Sequence, residues 1–82
     1  MSYNFNQTLR KGKWEIQIDT QAKYGCYEHD DHGEGGGLWF EPAVVGGKPM
    51  RELVDFDGRA VLPKDVVTAL RDAGYYLDET FN

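Results

Sequence analysis

Only one stretch of this 82-residue sequence carries a helical period, and it lies close to the end. Val66, Val67, Leu70 and Ala73 line one side of such a helix, while Lys64, Asp65, Thr68, Arg71 and Asp72 take the solvent side. Pro63 suits the first helical position, where its missing N–H costs nothing, and Gly74 supplies a left-handed stop. Asp65 in the first turn and Arg71 in the last both match the helix dipole. The spacing predicts a helix over 63–73. A helix of about three turns can roof only a few strands on one side. The expected class is therefore α+β, a small antiparallel sheet of three to five strands packed on one C-terminal helix.

The strands are read from period-two alternation. Trp14, Ile16 and Ile18 alternate with Lys13, Glu15, Gln17 and Asp19, which marks a half-buried strand. A second strand is expected over 22–28 through Tyr24, Cys26 and Tyr27, joined to the first as a hairpin by Asp19-Thr20-Gln21. Leu38–Glu41 reads as a short third strand ending near Pro42, and Arg51–Phe56 as a fourth. Asp57-Gly58 is a turn signal, with Arg59-Ala60-Val61 as a brief final strand. Residues 1–12 read as a polar N-terminal arm or accessory element, leaving 13–82 as the folded domain. Tyr75, Tyr76 and Leu77 form an extended tail, with Asp78, Glu79 and the terminal carboxylate in water.

This reading also assigns faces. Trp14, Ile16, Ile18, Tyr24, Cys26, Leu38, Phe40, Val54 and Phe56 are expected to meet the helix, leaving Tyr27, Trp39 and Leu53 on an uncovered face. Eleven Phe, Trp and Tyr residues are many for this length, enough to leave some for a partner. The formal charge of −5 opposes a nonspecific grip on phosphate or anionic lipid. Arg10, Lys11 and Lys13 form the one basic cluster and belong to no basic helix, so nucleic acid is not an expected partner. Cys26 is the only cysteine, which excludes an intramolecular disulfide. No apolar run approaches the roughly 20 residues of a membrane span, and the N-terminus lacks a basic-then-apolar leader. A cytoplasmic location is the expectation.

One segment stands apart. No Lys or Arg occurs between Lys23 and Lys48, a stretch that holds Glu28, Asp30, Asp31, Glu34, Glu41 and both histidines. His29 to Gly37 contains four glycines and reads as a long loop, since glycine loses the most backbone entropy when ordered. An acidic loop beside exposed aromatics can steer and anchor a basic partner. Tyr27, Asp30, Asp31, Glu34 and Trp39 are accordingly the expected partner-binding residues of a small protein-interaction module of inhibitor, immunity or adaptor type. Homodimerisation through the uncovered face is a variant of that reading. The alternative is a metal-binding protein using Cys26, His29 and His32, whose donor types suit zinc. Against it, Cys26 and His29 differ by an odd number and point to opposite faces of a straight strand. No second ligand pair exists, so no metal or other cofactor is expected. The glycines are not followed by Lys-Ser/Thr, which removes a phosphate cradle. A Cys–His nucleophile would lack an oxyanion site beside it, so the expectation leans away from an enzyme.

Overall fold

A computed structural model describes residues 4–81 and has the expected α+β class. The strands are β1 (Gln7–Lys11), β2 (Trp14–Asp19), β3 (Tyr24–His29), β4 (Gly35–Val45) and β5 (Lys48–Phe56). Helix α1 (Lys64–Asp72) and a 3-10 turn (Glu79–Phe81) follow. All five strands form one antiparallel sheet in chain order, each joined to the next by a hairpin.

The segment expected as a polar arm contributes a full strand. β1 pairs with β2 along its own whole length, from Gln7 opposite Ile18 to Lys11 opposite Trp14, with Leu9 placed beside Ile16. One apolar residue in five is a faint signal, which is why pairing rather than pattern identifies this strand. The first three residues of that segment, and Asn82 with its carboxylate, lie outside the described residues. At the other end of the sheet, residues 59–61 form no strand and run as an irregular connection into α1.

β4 corrects the loop expected over 29–37. Gly35, Gly36 and Gly37 pair with Glu28, Tyr27 and Cys26 as ordinary strand residues. A chain crossing accounts for the middle one, Gly36. A Cβ at Gly36 would overlap the Asp57 carbonyl oxygen, and one at Gly58 would overlap that of Gly35. Asp57 is bound into this crossing from three sides. Its Oδ1 accepts from the Gly37 N–H at 2.6 Å, its own N–H donates to the Gly37 carbonyl at 3.1 Å, and its carbonyl accepts from the Tyr27 hydroxyl at 2.6 Å. Glycine in a strand marks a close approach of another backbone, and that is its use here.

The core lies between one sheet face and α1. Ile16, Ile18, Tyr27, Leu38, Phe40 and Leu53 come from the sheet, and Val66, Val67, Ala69 and Leu70 from the helix. Pro63 is the N-cap rather than the first helical residue, and Ala69 is buried where Ala73 was expected. The helix packs against β1 and β2, while the tail covers β5. Tyr76 makes a parallel bridge to Glu52, and Tyr75 brings its ring to 4.9 Å from Phe40.

Two face assignments are reversed. Tyr27 and Leu53 face the helix and are 1% exposed each, whereas Tyr24, Cys26 and Val54 do not belong to the core. For β3 the parity is decided by Gly25 and Tyr27, which share the core face with Ile18 and Ile16. For β5 a bulge decides it. The register shifts between Trp39 and Phe40, so that Phe40 meets Leu53 while Trp39 meets Asp55. The extra residue, Val54, lets Leu53 and Phe56 both turn inward.

Candidate functional site

Cross-strand neighbours share a face of the sheet, so the register fixes what the outer face carries. Reading from β2 outward, Glu15 stands opposite Glu28, Gln17 opposite Cys26, and Tyr24 opposite Trp39. Farther along the β4–β5 hairpin, Glu41 stands opposite Glu52 and Ala43 opposite Met50. No described element packs over these residues. The outer face is thus a bare sheet surface with an aromatic pair at its centre and a directly opposed glutamate pair on either side, with Arg10 of β1 opposite Glu15 at its edge.

The aromatic pair is built by its neighbours. Trp39 is 36% exposed, and its ring meets Tyr24 edge-on with centroids 5.4 Å apart. Its six-membered ring leans over Gly37, where a Cβ would stand only 2.7 Å from the indole. Phe5 extends the row, 6.3 Å from Tyr24. Because Gly35 and Gly37 carry no side chains, the surface beside them sinks into a groove of about 540 Å³. Glu15, Gln17 and Glu28 line its polar wall, with Tyr24 and Cys26 farther along.

The groove is electronegative. Glu15 shares Arg10, at 2.5 Å, and accepts from Gln17 at 2.7 Å; Glu28 is outside the ion pairs of the described residues. Burial pushes the Cys26 thiol up, and the negative charges of Glu28 and Glu15 push in the same direction against a backbone hydrogen bond from Gln17. That is the reverse of what activates a nucleophilic or ligating thiol.

The acidic residues anticipated at 29–37 occupy a different role. Asp30 pairs with Arg10 at 2.6 Å, Asp31 with Lys13 at 2.6 Å, and Glu34 with Arg59 at 3.1 Å. Each carboxylate is matched by a cation from another part of the chain. Tyr27, expected on the exposed face, is inside the core with its hydroxyl donating to Asp57. Of the anticipated set, Trp39 alone stands on the outer face of the sheet. Glu15, Glu28, Glu41 and Glu52 were not anticipated as a group. Alternation places each on a polar side, but only the register sets them in opposed pairs.

The three donors of the metal alternative are not brought to one point. Cys26 lies on the outer face opposite Gln17, whereas His29 stands opposite Trp14 and meets its ring edge-on at 4.9 Å. His32 stacks on His29 at 4.6 Å, and the His29 Nδ1 accepts from the Asp31 N–H. Among the described residues no group of three ligating side chains could hold an ion. Nor is any described helix long and apolar enough to cross a membrane. Comparison with protein-family models, curated proteins and solved structures finds no match to this chain.

Proposed function

We propose that this chain is a protein-interaction module, of inhibitor, immunity or adaptor type, that docks a basic partner on the outer face of its sheet. The observation that carries the reading is the repeated opposition of glutamates, Glu15 with Glu28 and Glu41 with Glu52, on both sides of Trp39. Like charges directly opposite one another weaken a sheet. Arg10 already meets Glu15, so a cationic partner has Glu28, Glu41 and Glu52 to match, while Trp39 and Tyr24 supply a large apolar contact at small entropic cost. The same charges oppose a face-to-face homodimer, because a second copy would set the same glutamates against themselves.

The test is a titration of tryptophan fluorescence with an arginine-rich nonapeptide, with an aspartate-rich peptide as its counterpart. Binding is expected to shift Trp39 emission, to weaken with salt, and to lose its signal in Trp39→Phe, since Trp14 lies on the other face. The pair Glu28→Gln and Glu41→Gln is expected to weaken binding roughly fivefold or more. The pair Asp72→Asn and Glu79→Gln makes the same change in net charge away from the face and is expected to leave binding intact. Equal weakening by both pairs would reduce the effect to net charge and sink the docking site. Sedimentation as a dimer that buries Trp39 would replace the basic partner with a second copy.

A further inference from the structure

We propose that β1 offers its outer edge to an extended, uncharged segment of another protein, which joins the sheet as an added strand. In an antiparallel sheet the N–H and C=O of one residue point to the same neighbour, and successive residues alternate sides. The Asp30 N–H donates to the Lys13 carbonyl at 2.8 Å, so Glu15, Gln17 and Asp19 of β2 also face β3. Trp14, Ile16 and Ile18 therefore face β1, where they meet Lys11, Leu9 and Gln7. The backbone groups of Thr8 and Arg10 are left pointing out of the sheet, and no hydrogen bond reaches them among the described residues.

The other edges are closed or blunted. On β5 the outward Arg51 carbonyl accepts from the Tyr76 N–H at 2.8 Å, and the Leu53 N–H donates to the Tyr76 carbonyl at 3.0 Å. The same alternation turns Pro49 outward on β5, and Pro42 outward where β4 runs past the end of β3. Neither has an N–H to offer, which blunts an edge against pairing. β1 holds no proline, and its Arg10 side chain is drawn across the sheet toward Glu15 and Asp30, at 2.5 and 2.6 Å. The partial charges left along this edge, positive at N–H and negative at C=O, are matched at their own spacing by a second extended backbone. Beneath it a groove of about 250 Å³ separates β1 from α1, with Leu9, Ala69 and Ala73 as its apolar lining. Lys11 and Asp72 also line it, one charge of each sign, and the alanines leave room for a branched apolar side chain beside Leu9. A second copy fits less well. Paired strands lie about 4.8 Å apart, whereas a helix with its side chains is about 10 Å wide. Joining β1 to its own twin crowds two α1 helices, each packed on its β1, under one short stretch of sheet.

The experiment is an amide NMR titration with a capped heptapeptide of alternating threonine and valine. Strand addition sets valine beside Leu9 and threonine opposite Thr8 and Arg10, so the threonine N–H groups are the ones that bond to β1. Saturable shifts are expected at Thr8, Leu9 and Arg10, with slower solvent exchange of the Thr8 and Arg10 amides. N-methylation of the threonines is expected to weaken binding at least about tenfold, and N-methylation of the valines to leave it within about twofold. Thr8→Pro removes an outward N–H without touching the pairing to β2, so the fold is kept while affinity falls about tenfold or more. Trp39→Phe should leave peptide binding unchanged, which separates this edge from the outer face. Equal loss with either methylated peptide, shifts confined to the outer face, or no saturation in the millimolar range would each overturn the proposal. A dimer in sedimentation that Thr8→Pro dissolves would put a second copy on the edge and overturn it as well.

Discussion

The Tyr27 hydroxyl shows how one atom can settle the parity of a strand. Tyrosine is admitted to a core when its O–H finds a partner, and here the Asp57 carbonyl provides one at 2.6 Å. Tyr27→Phe keeps the ring and removes the donor, so stability is expected to fall by about 1 kcal/mol in denaturant unfolding. Asp19 tells a similar story at the opposite end of the strand pair. Its side chain accepts from the backbone N–H groups of Asn4 at 2.9 Å and of Gln21 and Ala22 at 3.0 Å. The hydrogen bonds from Asn4 and Ala22 hold its carboxyl below the usual range, outweighing the contrary effect of burial. A depressed pKa contributes stability above the unfolded value of about 4, and that contribution disappears as pH falls through the folded value. Asp19→Asn turns a donor toward one of those N–H groups. Its melting temperature should be lower than that of the parent at neutral pH, and the gap should close toward about pH 2 in a circular-dichroism series.

Among the elements, α1 and β2 were legible because their periods are clean and their caps or alternation agree. Less was legible where two physical signals competed. β3 carries aromatic or apolar side chains at both parities, through Tyr24, Cys26 and Tyr27, so alternation could not choose a face. β5 is shifted by a bulge that leaves no mark in its own residues. In β4 the three glycines argued for a loop on entropic grounds, yet each leaves room for a close neighbour: Gly36 for the Asp57 backbone, Gly35 for the Tyr27 carbonyl and Gly37 for the Trp39 ring. That crossing gives a sharp prediction. Gly36→Ala should cost about 2 kcal/mol or more in chemical unfolding, because the new methyl meets backbone rather than a yielding side chain. An alanine at Gly46, where nothing lies within 4 Å, meets no such obstacle, although its φ of +57° carries a strain of its own. The candidate site suffered from the same competition. Trp39 was readable as exposed, but the acidic loop drew attention from the glutamates because ion pairing between distant segments is invisible in the linear chain.

For the molecule as a whole, charge is spread unevenly over the surface. The outer face concentrates glutamates in opposed pairs, and Arg59, Lys64 and Arg71 lie together near α1, while the ion pairs from Asp30, Asp31 and Glu34 tie the β3–β4 turn to the rest of the chain. A face kept for a partner should be less stable than it could be. Glu28→Gln with Glu41→Gln is accordingly expected to raise the melting temperature at low salt, by an amount equivalent to a few tenths of a kcal/mol, on the order of an exposed cross-strand pair. The gain should shrink as salt is added, and a fall in stability would contradict the repulsion on which the docking surface rests. The order of the elements has one more consequence. As the ribosome releases this chain, each strand emerges directly after the one it pairs with, so the hairpins can close in turn. Their apolar face then waits uncovered, because Leu70, Tyr75 and Leu77 all follow the last strand in the chain, and Tyr75 must reach back across 68 positions to Gln7. Synthesis therefore hands the cell a sheet without a roof. The window of greatest exposure to proteases and to sticking lasts from the release of β5 until α1 and the tail behind it have emerged.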